Sequence, residues 1–171
     1  MAKAGGDQFS NLAYLSVTES AANTLTFKKL ETGVPLFEKI AWIIHRIDYW
    51  VNALAAYLDT NGDNIYTGLS TSNQFTTVGV DQACILDVFQ MIRTDYGTAA
   101  TGNIWIRPVV RDFSGLPGGG LIVPPNPLYL FVVGAGCAAA NFVMVRLRYS
   151  TLQLTADQYW ELVEGTRIIA S

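Results

Sequence analysis

The segment Val133-Gly134-Ala135-Gly136-Cys137-Ala138-Ala139 has the residue types and spacing of a dinucleotide-binding turn. It reads G-x-G-x-x-A after an apolar run, and an acid, Asp157, follows about twenty residues later. Such a turn holds pyrophosphate only when a helix begins at its end, because the N–H groups of that helix face the anion. The residues after Asn141 alternate instead. Val143, Val145, Leu147 and Tyr149 fall on one side, and Phe142, Met144, Arg146 and Arg148 on the other, which is the period of a strand. The expectation is a tight turn between two strands, with no cofactor.

Asp59-x-Asn61-x-Asp63 opens like a calcium loop, in which oxygen ligands recur at every second residue. Asn64 stands where such a loop needs glycine, and Ser70 where it needs a bidentate glutamate. A hairpin turn around Asn61-Gly62, a favoured tight-turn pair, is expected there rather than a metal site. His45 is the only histidine and has no nucleophile pattern beside it, and no H-E-x-x-H, G-x-S-x-G or P-loop spacing occurs. A carboxylate pair could still catalyse, but the carboxylates are scattered and none pairs by spacing. Cys84 and Cys137 match neither a metal knuckle nor a disulfide framework and are expected as buried thiols. No catalytic, cofactor-binding or metal-ligating residue is assigned, and no enzymatic activity is expected. The eight Phe, eight Tyr and four Trp could stack bases. Most occupy alternating apolar positions, which suits core or interface packing.

The elements around these residues read mainly as β. Short runs at 12–18 and 23–30 are rich in strand formers. The stretch 38–51 is long, and its β-branched and aromatic content favours a strand, with a helix as the alternative; as a strand it puts Ala41, Ile43, His45, Ile47, Tyr49 and Val51 on one face. A strand is expected over 65–71 and another over 104–110, with Pro108 placing the latter near an edge. Residues 81–93 carry apolar side chains at 84, 85, 88, 89, 91 and 92, the spacing of a short amphipathic helix capped by Asp81. Residues 114–127 hold four of the six prolines and four of the fifteen glycines and are expected as one long exposed loop. Strands at 128–134 and 141–150 form a hairpin in this reading. Thr155-Ala156-Asp157-Gln158 is a capping box, and Leu154, Tyr159, Leu162 and Val163 mark a C-terminal helix. About eight antiparallel strands and two short helices make a single all-β sandwich or barrel domain over residues 1–171.

Charge is the bulk anomaly. The chain has 25 charged residues in 171, where an average domain would have about 43. Mean hydropathy is +0.26. Residues 128–145 are long and apolar enough to be considered as a membrane helix, but Gly134, Gly136 and the alternation beyond Asn141 argue for strands. Net charge of −3 argues against a broad nucleic-acid footprint. The N-terminal residues are small and polar without an apolar core, so no secretory signal is expected. Two explanations remain: an unusually oily monomer, or a subunit whose flanks are covered by its neighbours.

An antiparallel, charge-poor chain with a long Gly/Pro loop and no catalytic signature resembles a viral capsid jelly roll. Glu38 to Trp50, followed by the Asp59–Asp63 turn and Gly68-Leu69-Ser70-Thr71-Ser72, and Leu128 to Tyr149 carry the likeness. They are similar to the small major capsid proteins of tailless icosahedral viruses with an internal membrane. The resemblance implies a single jelly roll that packs beside copies of itself and a second capsid protein, over lipid. It implies a virion protein that is soluble in the host cytoplasm before assembly. It implies neither sequence-specific nucleic-acid binding nor a small-molecule substrate. The competing classes are a ligand-binding β-sandwich, with sugar or calcium at the Gly/Pro loop or the Asp59 turn, and a small carboxylate enzyme.

Overall fold

A computed structural model describes residues 10–31, 39–51, 62–79, 84–92, 108–124 and 127–169. Among these lie nine strands and one helix: β1 (Asn11–Thr18), β2 (Thr26–Leu30), β3 (Ile40–Val51), β4 (Asn64–Ser70), β5 (Ile85–Ile92), β6 (Val109–Asp112), β7 (Leu121–Val123), β8 (Leu128–Ala135), β9 (Phe142–Gln153) and α1 (Ala156–Ile169). The strands form two antiparallel sheets, ordered β1-β9-β3-β6 and β2-β8-β4-β5, with β7 also pairing β3. Chain order alternates between the sheets except at β4 and β5, which are neighbours in one sheet, and β6 and β7 together fill one strand position. This is the two-Greek-key winding of a jelly roll, so the all-β expectation holds.

Alternation sets the core. Val143, Val145 and Leu147 of β9 face Leu128, Leu130 and Val132 of β8 in one buried cluster, with Ile65 and Leu69 of β4. On β3 the simple odd–even reading is corrected. The ladder with β9 shifts between Ile44 and Arg46, so His45 is an extra residue. Trp42 and Ile44 therefore join Ile47, Tyr49 and Val51 in the core, while Ala41 and Ile43 move to the other face. Two further contacts hold the bulge: a ring nitrogen of His45, Nδ1, lies 2.7 Å from the Gly119 carbonyl oxygen and Nε2 lies 2.8 Å from Ser150 Oγ. Gly120 permits the approach, because a Cβ there would lie 2.6 Å from Ile43 Cγ2 and 2.7 Å from the Ile44 carbonyl oxygen.

Three further expectations are corrected. The helix over 81–93 is strand β5 across its described residues. Its ladder with β4 is irregular, with Leu69 opposite Asp87 but Ser70 opposite Ile85, so Leu86 is extra. That bulge, with apolar cover on both faces of the strand, turns a period of two into a helix-like spacing. The hairpin over 128–150 is two strands in different sheets: β8 pairs β2 and β4, and β9 pairs β1 and β3. Each already has a neighbour on either side, so residues 136–141 cross the gap of about 10 Å between sheets. The Gly/Pro loop is interrupted by β7, which pairs Trp42 with Val123 and Ile44 with Leu121. Residues 59–61 of the expected turn and 104–107 of the expected strand lie outside the described residues. The capping box forms as read: Thr155 Oγ1 accepts from the Gln158 N–H at 3.3 Å, and Gln158 Oε1 accepts from the Thr155 N–H at 3.1 Å.

Candidate functional site

The two sheets differ on their outer faces. Phe131 of β8 points away from the core yet is fully buried, under Phe27 and Phe75. Phe75 meets Phe27 edge-on at 4.9 Å and Phe131 at 5.2 Å between ring centroids. The segment after β4 thus folds back and covers the middle of this face. Gly68 allows it, because Phe131 lies across the place its side chain would occupy.

Among the described residues, the outer face of the β1-β9-β3-β6 sheet has no such cover. On β1 the outward residues are Leu12, Tyr14 and Ser16, directly opposite Arg148, Arg146 and Met144 of β9. Next come Arg46, Asp48 and Trp50 of β3, then Val110 and Asp112 of β6. Leu12 is 49% exposed, Tyr14 66%, Val110 44%, Met144 45% and Ile122 of β7 37%. Five of the eight large apolar side chains exposed among the described residues therefore share one sheet face. A patch of this composition on a charge-poor chain marks an interaction surface.

Charges run through the centre of this patch. Asp48 is almost fully buried beneath its neighbours: Arg46 Nε donates to Oδ1 at 2.6 Å, and Arg146 donates to Oδ2 from Nε at 2.9 Å and Nη2 at 2.6 Å. Burial pushes the Asp48 carboxyl up, but the hydrogen bonds from Arg146 and Arg46 outweigh it and hold it below the usual value. The Arg146 guanidinium also lies over the Trp50 ring, 5.1 Å from its centroid. Arg146 is thus a structural clamp, whereas Arg148 is exposed. Equivalent by alternation, the two arginines differ in what they hold. Arg146→Glu should set one carboxylate against another and lower Tm by roughly 10 °C. Arg148→Glu should change Tm by less than about 2 °C. Thermal unfolding of the two single variants measures this difference.

A second polar group lies between the sheets at the β5–β6 edge. The bulge in β5 turns Asp87 inward, where it accepts from Tyr49 Oη at 3.0 Å, and Arg111 Nε lies 3.5 Å away. Burial raises the Asp87 carboxyl above its ordinary 3.8 despite both partners. Burial, then the Asp87 charge, raises the Tyr49 hydroxyl well above its usual range. A raised carboxyl favours the fold most fully below 3.8, and that contribution is lost as pH rises through the higher folded value. Asp87→Asn should remove this slope while keeping an acceptor for Tyr49. Urea unfolding between pH 3 and pH 7 should then show a smaller fall in stability with rising pH than the wild type.

At one end of the sandwich Glu19 ties the β1–β2 link to the sheet-crossing link. Its Oε1 accepts from the N–H groups of Thr24 at 3.1 Å and Gly134 at 2.6 Å; Oε2 accepts from Asn141 N at 2.7 Å and Nδ2 at 2.6 Å. Asn23, at φ +60°, bonds both the N–H and the carbonyl of Cys137 at 2.9 Å. The G-x-G-x-x-A residues are therefore a packed crossover followed by a strand. Asp63, from the calcium-like sequence, is buried beside Gly136, and no group of three metal-ligating side chains occurs among the described residues. Cys84 packs under the Phe131 cluster and Cys137 in the crossover; burial pushes both thiols up, leaving them protonated. A shallow groove of about 210 Å³ between Leu25, Tyr66, Val78 and Val133 is smaller than ordinary ligand pockets. No helix among the described residues is long and apolar enough to cross a membrane.

No protein-family model matches the chain, and no curated protein sequence matches it. The surface rests on its own geometry. Arg146 and Arg148 are visible in the sequence as outward residues of an alternating strand. Leu12 and Tyr14 join them only through the β1–β9 register, which local pattern does not reveal.

Proposed function

We propose that this chain is a structural subunit of a viral capsid, without enzymatic activity, that assembles with copies of itself and a second capsid protein around an internal membrane. The observation that carries this reading is the outer face of the β1-β9-β3-β6 sheet, where Leu12, Tyr14, Val110, Ile122 and Met144 are exposed together among the described residues. On the opposite face of the sandwich an aromatic cluster covers Phe131. An exposed apolar sheet face suits lateral contact between copies, and the jelly-roll winding agrees with the resemblance of the sequence to small capsid proteins. Contact there supplies the cover that 25 charged residues do not.

The test places charge inside the patch without touching the Asp48 clamp. Leu12→Asp with Met144→Asp should keep wild-type circular dichroism and lose assembly in sedimentation velocity. A double variant that assembles as the wild type does would remove this face from the proposal.

A further inference from the structure

We infer that the contact between subunits is head-to-tail, with helix α1 of one copy lying on the outer face of the β1-β9-β3-β6 sheet of the next. This rests on the capsid reading and names the partner surface within it.

The helix has two unlike sides. Tyr159 is buried, and Leu162 and Val163 are half-buried. Asp157, Trp160, Glu161 and Glu164 are all exposed and follow the spacing i, i+3, i+4, i+7, which gathers them on one face. Trp160 is 58% exposed, edge-on to Tyr159 with ring centroids 5.7 Å apart. The helix therefore offers one large aromatic ring framed by three carboxylates. The sheet face offers the complement: Leu12, Tyr14 and Met144 beside the exposed Arg148, while Arg146 is held by Asp48. Glu161 can face the exposed Arg148 guanidinium while Trp160 lies against Leu12 and Tyr14 on β1.

The two surfaces do not meet within one chain. Trp160, Tyr14 and Arg148 are all exposed in the single subunit, and among the described residues α1 makes no extensive contact with any strand. The partner that satisfies both is a second copy. Because the two patches differ, the contact is heterologous, and repeating it builds rings or extended shells rather than a closed dimer.

Charge reversal and rescue test this. Glu161→Arg with Glu164→Arg should leave circular dichroism unchanged and lower the assembled fraction, measured by light scattering, about tenfold or more. Arg148→Glu should do the same. Equimolar mixing of the two variants should restore assembly, since each then offers the surface the other lacks. If the helix variant assembles like the wild type, or if mixing fails to rescue, this contact is wrong and the capsid reading stands. If the wild type itself never assembles, the capsid reading falls and this inference with it.

Discussion

Glu19→Ala should leave no folded protein at 37 °C. The Glu19 carboxylate is 4% exposed and accepts four hydrogen bonds, three from backbone N–H groups and one from Asn141 Nδ2. Alanine leaves three buried donors without an acceptor, at about 1–3 kcal/mol each, besides the part-buried Thr24 N–H. A total of roughly 4 kcal/mol or more is a large share of the 5–15 kcal/mol that holds an ordinary domain together. The loss also frees the crossover between β8 and β9, so both sheets lose a fixed end. Glu19→Gln keeps one oxygen but turns an N–H₂ toward two donors, and should fold with a lower midpoint. Urea unfolding at neutral pH ranks the three proteins. A Glu19→Ala protein within about 1 kcal/mol of wild type would mean that water replaces the carboxylate.

Gly68→Ala should destabilise by about 3 kcal/mol, well beyond an ordinary glycine substitution in a strand. Its Cβ would overlap the Asp87 carbonyl oxygen of the neighbouring strand and lie 2.8 Å from Phe131 Cζ and 3.0 Å from Val88 Cα. The first and last are backbone atoms, so β4 and β5 must separate. Displacing Phe131 opens the Phe27–Phe75–Phe131 cluster at the same time. By contrast Gly115→Ala meets nothing within 4 Å and should be nearly silent. Comparing their Tm values separates a local clash from a general cost of losing glycine.

Local chemistry made much of this fold legible. β1, β3, β4, β8 and β9 announce themselves by β-branched residues and alternation, and α1 by Thr155 and Gln158. What alternation cannot state is the partner of a strand. Residues 128–150 therefore read as a hairpin, although each half pairs only with strands distant in sequence. β5 failed for a different reason: the extra Leu86 breaks the period, and apolar cover on both faces leaves apolar residues at nearly every position. β7 is three residues long and sits among prolines and glycines, where pairing to β3 decides its state. Arg46, Asp48, Arg146 and Arg148 were readable as charges on otherwise apolar strands. That Arg146 holds Asp48 while Arg148 is exposed follows from burial, which local pattern does not carry. Asp87 was not readable at all, because only the bulge turns it toward Tyr49.

The claim that this sheet face joins subunits is tested most directly by the wild-type chain alone. Multi-angle light scattering across rising concentration, followed by electron microscopy of the same samples, reads the mass and the form of what is present. The account predicts masses that are multiples of 18.7 kDa, growing with concentration into rings, sheets or shells. A single species of one subunit mass at every concentration, unchanged by lipid vesicles or a partner capsid protein, would contradict it.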